Sequence, residues 1–274
     1  MQDHGYTRAM TGLGTHPSMT SAAIESGWAS LEAELDIWQS AGRIASFWWR
    51  DDDAVAATPA LDRLLVLARD VPIALAVIPG CCAGDELAGR LGSFANATVL
   101  QHGWRHTNYA PAGERKSELG THRPLSERLD ELRRGRERLA SLFGSRALGV
   151  LVPPWNRIAS DLVPRLPEIG IGGLSTDDAR PAAAVAGVRR VNVHVDLVDW
   201  HGGRGFVGEV TALGLVLRHL RRRFLGSVDP EEPTGILTHH LVQDAAAARF
   251  LRQLLAILGR HPAARFVPIA ELFA

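Results

Sequence analysis

Apolar positions along this chain recur at two periods. From Ser21 to Ser40 the residues Ala23, Ile24, Trp28, Leu31, Leu35, Ile37 and Trp38 are spaced for one face of a helix. After that, short apolar runs alternate with longer stretches of helical period. The runs predict strands at Ile44–Trp49, Ile73–Ile78, Ala97–Gln101, Leu148–Val152, Gly172–Ser175, Arg190–Val193, Gly235–Thr238 and Arg265–Val267. Helices are expected at Pro59–Arg69, Asp85–Leu91, Ser126–Phe143, Ala159–Glu168, Glu209–Phe224 and Ala245–Leu258. Gly144 closes the helix that begins at Ser126, and Gly259 with Pro262 stops the last one. Residues 1 to about 20 carry Gly, Thr, Ser and His without periodicity and read as a mobile lead-in. Strands alternating with helices through short connections predict parallel strands covered by helices. The expectation is an α/β chain folded as an irregular (β/α) barrel of about seven or eight mostly parallel strands. Residues 1–40 would form a lead-in and helix, and 41–274 a single barrel domain. No Gly-x-Gly-x-x-Gly follows the first strand and no P-loop is present, which disfavours a nucleotide-binding sheet.

Composition narrows the partners. The 274 residues are 46% hydrophobic, enough for one large core, and Lys+Arg 30 balances Asp+Glu 30. A net charge of zero implies no bulk attraction to nucleic acid or an anionic membrane. The densest basic run, Arg218 to Arg223, interleaves with Leu215, Leu217, Leu220 and Phe224 and reads as the solvated face of an amphipathic helix. The two cysteines, Cys81 and Cys82, are adjacent and read as buried reduced thiols. The N-terminal stretch lacks a basic start followed by a continuous apolar segment, and no apolar run is long enough to span a bilayer. A cytoplasmic location is the expectation.

Four polar clusters each follow a strand-like run: Arg50-Asp51-Asp52-Asp53, His102 to His106, Pro153-Pro154-Trp155-Asn156 and Thr238-His239-His240. The ends of strands in α/β proteins are where ligands bind. His102 and His106 stand four apart, a spacing that brings two imidazoles onto one metal. It is not a zincin helix, because Trp104 and Arg105 occupy the positions where the catalytic Glu would be sought. A hydrolytic zinc needs a third protein ligand and an open position, and the aspartate run supplies the candidate. Three adjacent carboxylates repel unless a cation or fixed donors compensate. One is expected to ligate the metal and a neighbour to accept a proton, with Arg50 paired to whichever does neither.

In order along the chain, WRDDDA, His102-x-x-x-His106, Val152-Pro153-Pro154-Trp155, Asp196-Leu-Val-Asp199-Trp200 and Leu237-Thr238-His239 resemble the motifs of the polysaccharide deacetylases with the NodB-type homology domain. That resemblance implies an irregular (β/α) barrel and a metal-dependent hydrolase that removes acetyl from an N-acetylated sugar or a related small acetamide. It implies a divalent metal, most readily Zn2+, on Asp53, His102 and His106, with Asp52 as general base and His239 as the acid that protonates the leaving amine. The alternative register gives Asp51 as base and Asp52 as ligand; Arg50 in the family's arginine position favours the first. Trp155 would supply a backbone N–H to the oxyanion and Trp200 a wall of the acetyl pocket. Asn156 would contact a substrate hydroxyl or cap the next helix, and His240 would stand beside His239 at the substrate or substitute for it. Asp196 would orient His239 or hold a loop, and Asp244 would cap the last helix. The partner is thus a small-molecule or oligosaccharide substrate. Val152 stands where many members carry Arg, so the ion pair with an aspartate of the fourth motif is lost; Arg157 would substitute or stand exposed at the start of a helix. The alternative function is a barrel that has lost hydrolysis and acts as a carbohydrate-binding module.

Overall fold

A computed structural model describes residues 21–274, so the lead-in expected over residues 1 to 20 lies outside the described residues. The strands are β1 Ala45–Ala54, β2 Ile73–Val77, β3 Ala97–His102, β4 Ala147–Val152, β5 Gly173–Leu174, β6 Ala184–Val185, β7 Val188–Arg190, β8 Val195–Asp196, β9 Thr234–Thr238 and β10 Ala264–Phe266. The helices are α1 Ser21–Ser40, α2 Pro59–Leu67, α3 Gly84–Leu91, α4 Leu125–Phe143, α5 Glu209–Phe224, α6 Ala245–Arg260 and α7 Ile269–Leu272. One sheet runs in the order β6-β7-β5-β4-β3-β2-β1-β9-β8, with β10 beside the start of β1. Its pairings are parallel except β6 with β7. The segment 188–197 bonds β5 at its start and β9 at its end, through His194 N–H to Gly235 O and Leu197 N–H to Leu237 O, so the curled sheet forms the expected irregular barrel.

Side chains alternate across a strand, and β1 shows it. Trp48 packs inside the barrel with Ala74, Leu100, Val193 and Leu237, whereas Phe47 and Trp49 join the apolar layer under the helices. Leu31, Leu35 and Trp38 of α1 are buried in that same layer, and α1 packs along α5.

Several expectations shift. β1 does not end at Trp49 but runs through the aspartates to Ala54, because Arg50 and Asp51 continue the parallel pairing with β9 and β2. The helix expected over Ala159–Glu168 is a 3-10 segment, Val163–Ile169, where Pro164 and Pro167 remove the donors an α-helix needs. The strand expected at Arg190–Val193 pairs earlier, as β7, and β6 and β8 are two-residue strands without a periodic signal. The basic run is not wholly solvated: His219 and Arg223 are buried, and Arg223 donates to Ser46 O and Pro230 O. Of the free thiols only Cys82 is buried; Cys81 is exposed.

Candidate metal centre

The alternation that sorts the tryptophans also sorts the aspartates. Asp52 shares the inner face with Trp48 and Arg50, and Asp51 shares the outer face with Trp49. Asp51 is fully buried there, its Oδ2 accepting from Thr238 Oγ1 at 2.6 Å and from the His240 N–H at 3.0 Å. Its Oδ1 lies 2.5 Å from His240 Nδ1. This pair raises the His240 pKa against the opposing effect of burial, the largest single influence on it. Asp51 and His240 are therefore spent on each other beside the barrel rather than brought to its mouth.

Asp53 should follow Asp51 outward but does not. Its φ of 71° is in the left-handed region, and the β1–β2 register shifts between Asp51 and Ala54. The kink returns its carboxylate to the mouth, where Oδ1 lies 3.2 Å from His102 Nε2 and 3.5 Å from His106 Nε2. Burial opposes ionisation of Asp53, but His102, His106 and His239 together outweigh it and hold the carboxyl far below its ordinary value. His106, Trp155 and Asn156 also have positive φ, at 57°, 54° and 56°. Such strain in four residues of one mouth persists only where the surroundings impose it.

These three side chains fit a divalent ion. Tetrahedral zinc with bonds of about 2.1 Å puts its N and O ligands about 3.4 Å apart, against the observed 3.2 and 3.5 Å. The three ligand atoms lie within 4.8 Å of one another. Asp53 Oδ1 is buried without a hydrogen-bond donor among the described residues. His102 Nδ1 donates to Val152 O at 2.9 Å, so Nε2 is the ring atom that faces Asp53; burial lowers the His102 pKa, but Asp53 and Asp52 together raise it overall. Burial, then the neighbouring His102, lowers the His106 pKa, which favours the neutral ring a metal needs.

Arg50 organises the inner side. Its Nε and Nη2 donate to the two oxygens of Asp52 at 2.8 and 2.9 Å. Nη1 donates to Ser175 Oγ at 2.8 Å, and Nη2 also to Asn156 Oδ1 at 2.8 Å. Arg50 is fully buried and Asp52 nearly so. Arg50 thus holds Asp52; this is not the ion pair that a third-motif arginine in place of Val152 would make with an aspartate of the fourth motif, where Asp196 bonds Val198 and Trp200 instead. Arg157 is not its replacement; it donates to Lys116 O at the surface. Asn156 does not cap a helix, its side-chain oxygen being part of the Arg50 cage.

Across the mouth His239 follows β9, buried, with a buried Nδ1 that has no hydrogen-bond partner among the described residues. The Trp200 ring meets it edge-on at 4.8 Å and donates Nε1–H to Asp196 Oδ2 at 2.8 Å. Asp196 also accepts from Val198 N–H, so it ties its own loop, and burial raises its pKa. On the opposite wall Trp155 lies 4.2 Å from the His106 ring. Asp53, His102, His106, Asp52, His239, Trp155, Asn156 and Trp200 thus gather at one mouth.

Glu118 was not legible in the sequence. It is buried and accepts from the backbone N–H groups of Trp104, Arg105 and Thr107, which shapes the loop carrying His106. Gly103 of that loop has φ of 57°, and a Cβ there would fall 1.9 Å from Glu118 Oε2. No local pattern marks a glutamate so far along the chain as the partner of that loop.

A second trio, His194, His219 and Glu232, lies where β9 begins. Gly235 N–H donates to His194 Nδ1 at 2.9 Å, so the neutral ring carries its proton on Nε2, toward Glu232 Oε2 at 3.4 Å. Glu232 accepts from the N–H groups of Asn192 and Arg180. With no His194 lone pair turned inward, this is a buried polar brace rather than a ligand set. Asp244 caps α6 as expected, Oδ1 accepting from Ala247 N–H.

No protein-family model matches the chain, and no curated protein matches it by sequence. Solved structures do match in shape. A Mycobacterium smegmatis protein assigned as a polysaccharide deacetylase is 17% identical, with TM-score 0.57 over 84% of this chain and 89% of its own. The Bc1960 peptidoglycan N-acetylglucosamine deacetylase is 18% identical, with TM-score 0.51 over 84% and 88%. A Bacillus anthracis pseudoenzyme of carbohydrate esterase family 4 is 14% identical, with TM-score 0.52 over 84% and 66%. The chain therefore has the polysaccharide deacetylase fold.

Proposed function

We propose that this protein is a metal-dependent hydrolase that removes the acetyl group from an N-acetylated sugar or a related small acetamide. The observation that carries the reading is the Asp53–His102–His106 triangle, spaced for tetrahedral coordination, with Asp52 clamped beside it. Asp53, His102 and His106 would hold the ion, and zinc suits an N, N, O set. When bound, such an ion supplies Lewis acidity toward the acetamide carbonyl and makes water more acidic.

The remaining work falls to the chain. Asp52 is the general base, taking a proton as water oxygen bonds to the carbonyl carbon. Arg50 engages both Asp52 oxygens, so the base is oriented before substrate arrives. His239 gives a proton to the nitrogen as the C–N bond breaks, releasing acetate and amine. Trp200 meets His239 edge-on and Trp155 packs tilted against His106, so two aromatic walls flank the place where a sugar ring would lie. The binding-module alternative draws its weight from the missing third-motif arginine; two histidines, the aspartates and His239 gathered at one mouth count against it, because a binding module needs no proton-transfer pair.

The test is zinc content together with acetate release from N-acetylglucosamine oligomers. His102→Ala should lose zinc. Asp52→Asn should retain it and lose turnover by roughly 10²–10⁴-fold, the range for a general base. Wild-type protein that cannot be loaded with any divalent metal would sink the reading. If instead Asp51→Asn matched Asp52→Asn in activity and fold, the base is assigned to the wrong residue.

A further inference from the structure

Around and beyond β5 the chain stays extended. The carbonyls of Gly172, Leu174 and Thr176 accept from the N–H groups of Arg189, Val191 and Val193, every second residue, and Asp177 bridges to Val193. Side chains therefore go on alternating across this segment. Leu174 lies in the apolar layer under the helices with Leu129 and Leu132, whereas Ser175 turns into the barrel, its Oγ accepting from Arg50 Nη1 at 2.8 Å. Two residues on, Asp177 turns the same way. Asn192 fixes the backbone there, its Nδ2 donating to Asp177 O at 3.2 Å and to Asp178 O at 2.9 Å.

Arg50 ties this segment to the general base. β5 is the fourth strand along from β1 in the sheet, and the Arg50 guanidinium spans the barrel between them, bonding Asp52 on one side and Ser175 on the other. Asp52 stands two residues beyond Arg50 and Asp177 two beyond Ser175, each about 6–7 Å nearer the mouth. The two carboxylates thus flank the mouth on opposite sides, with the guanidinium as the floor between them. The other aspartates there are engaged: Asp52 by Arg50, Asp53 by the two histidines, Asp196 and Asp199 by their own loop. Apart from its own N–H, the exposed Asp177 carboxylate has no hydrogen-bond or ion-pair partner among the described residues. Partial desolvation raises its pKa, opposed by that N–H and, from beyond contact range, by Arg50 and Arg157.

We infer that Asp177 is a substrate-binding carboxylate that accepts hydrogen bonds from two adjacent hydroxyls of the sugar ring. An ionised carboxyl is acceptor-only with two oxygens, so a vicinal pair of O–H donors matches it, one to each oxygen. Hydrogen bonds to an ionised acceptor are roughly twice as strong as neutral ones. With the acetamide at the Asp53–His102–His106 side, the rest of the ring extends across the mouth toward Asp177. In an N-acetylated 2-amino hexose the vicinal ring diol is at C3 and C4, because C2 carries the acetamide. In a chain linked through C4 only the non-reducing terminal sugar has that diol free. The substrate class is therefore a single N-acetylated sugar or the non-reducing end of a chain. The identity of the substrate rests on the deacetylase reading; the hydroxyl contact is read by binding alone.

Binding is measured by calorimetry on zinc-loaded Asp52→Asn, which should not turn substrate over, with and without Asp177→Ala. The ligands are N-acetylglucosamine and its 3,4-di-O-methyl ether. Asp177→Ala should weaken binding of the free sugar about tenfold or more, the worth of a hydrogen bond to a charged group. It should leave binding of the ether unchanged, since residue and diol act as one pair. Asp177→Asn keeps one acceptor oxygen and should recover part of the loss. With Asp52 intact, Asp177→Ala should raise KM for N-acetylglucosamine about tenfold and hold kcat. No sugar binding by Asp52→Asn, equal binding of the free sugar with and without Asp177, or an equal loss for the ether overturns the contact. Acetate released by wild type in any of those cases leaves the deacetylase reading intact. The expected binding pattern with no acetate from wild type upholds the contact and sinks the deacetylase reading.

Discussion

At the scale of single residues, the three adjacent aspartates are chemically alike and structurally unlike. Asp51 is spent on Thr238 and His240, Asp52 on Arg50, and Asp53 faces two imidazoles. Arg50 carries a testable consequence. Arg50→Gln leaves the Asp52 carboxylate buried without its partner, a loss of about 3–5 kcal/mol. Chemical denaturation should show that loss, and Asp52→Asn on top of it should recover part, because the uncompensated charge is then gone. Two penalties that simply add would mean the pair is not coupled. The pairing was half legible: Arg50 was recognisable as a carboxylate partner, but period-two alternation from Trp48, which selects Asp52, requires β1 to run on to Ala54.

At the scale of elements, Asp53 and His102 come from strand ends and His106 from the loop after β3, which a buried carboxylate shapes. Glu118→Gln keeps the size and replaces one acceptor by a donor facing backbone N–H groups. Zinc affinity should drop about 10–100-fold with the fold retained, the usual cost of losing a group that orients a metal-binding side chain; equilibrium dialysis against a competing chelator reads it. Unchanged affinity would show that the loop holds its form without Glu118. In the helical layer, Trp38 of α1 is buried with its edge against Phe224 of α5. Trp38→Ala should cost about 3–5 kcal/mol, read as a lower denaturation midpoint, if α1 belongs to the cooperative unit. An unchanged midpoint would make α1 a separable appendage.

At the scale of the whole molecule, pH and metal act on stability through the two histidine clusters. Burial, with His194 and nearby arginines, pushes His219 down to about 2 from the ordinary 6.5. Burial also lowers His194. Below pH 6.5 the unfolded chain takes protons that the folded chain refuses, so this stability is complete above 6.5 and declines as pH falls toward 2. In urea unfolding at pH 7, 6 and 5, His219→Gln should lose less stability on acidification than wild type; equal slopes would remove His219 as a contributor. Zinc binding only to the folded chain would act in the other direction, raising the midpoint. Stripping it with a chelator should lower the midpoint of wild type and leave His102→Ala unmoved. Among the described residues no helix is long and apolar enough to cross a membrane.

The sequence by itself determined most of the alternating strands and helices, the barrel they build, and which polar residues stand at the strand ends. Those follow from local periodicity and residue type, which short-range sterics and burial impose without knowledge of the rest of the chain. Tertiary structure alone decided which aspartate faces which partner, through the left-handed kink at Asp53 and the pairing of β1 with β9. It decided that Glu118 holds the His106 loop and that Asp177 faces the mouth across from Asp52. Most of these contacts join residues that local spacing does not relate, such as Asp51 with Thr238 and His240. Their energies depend on distance and shared burial, quantities that no spacing along the sequence encodes.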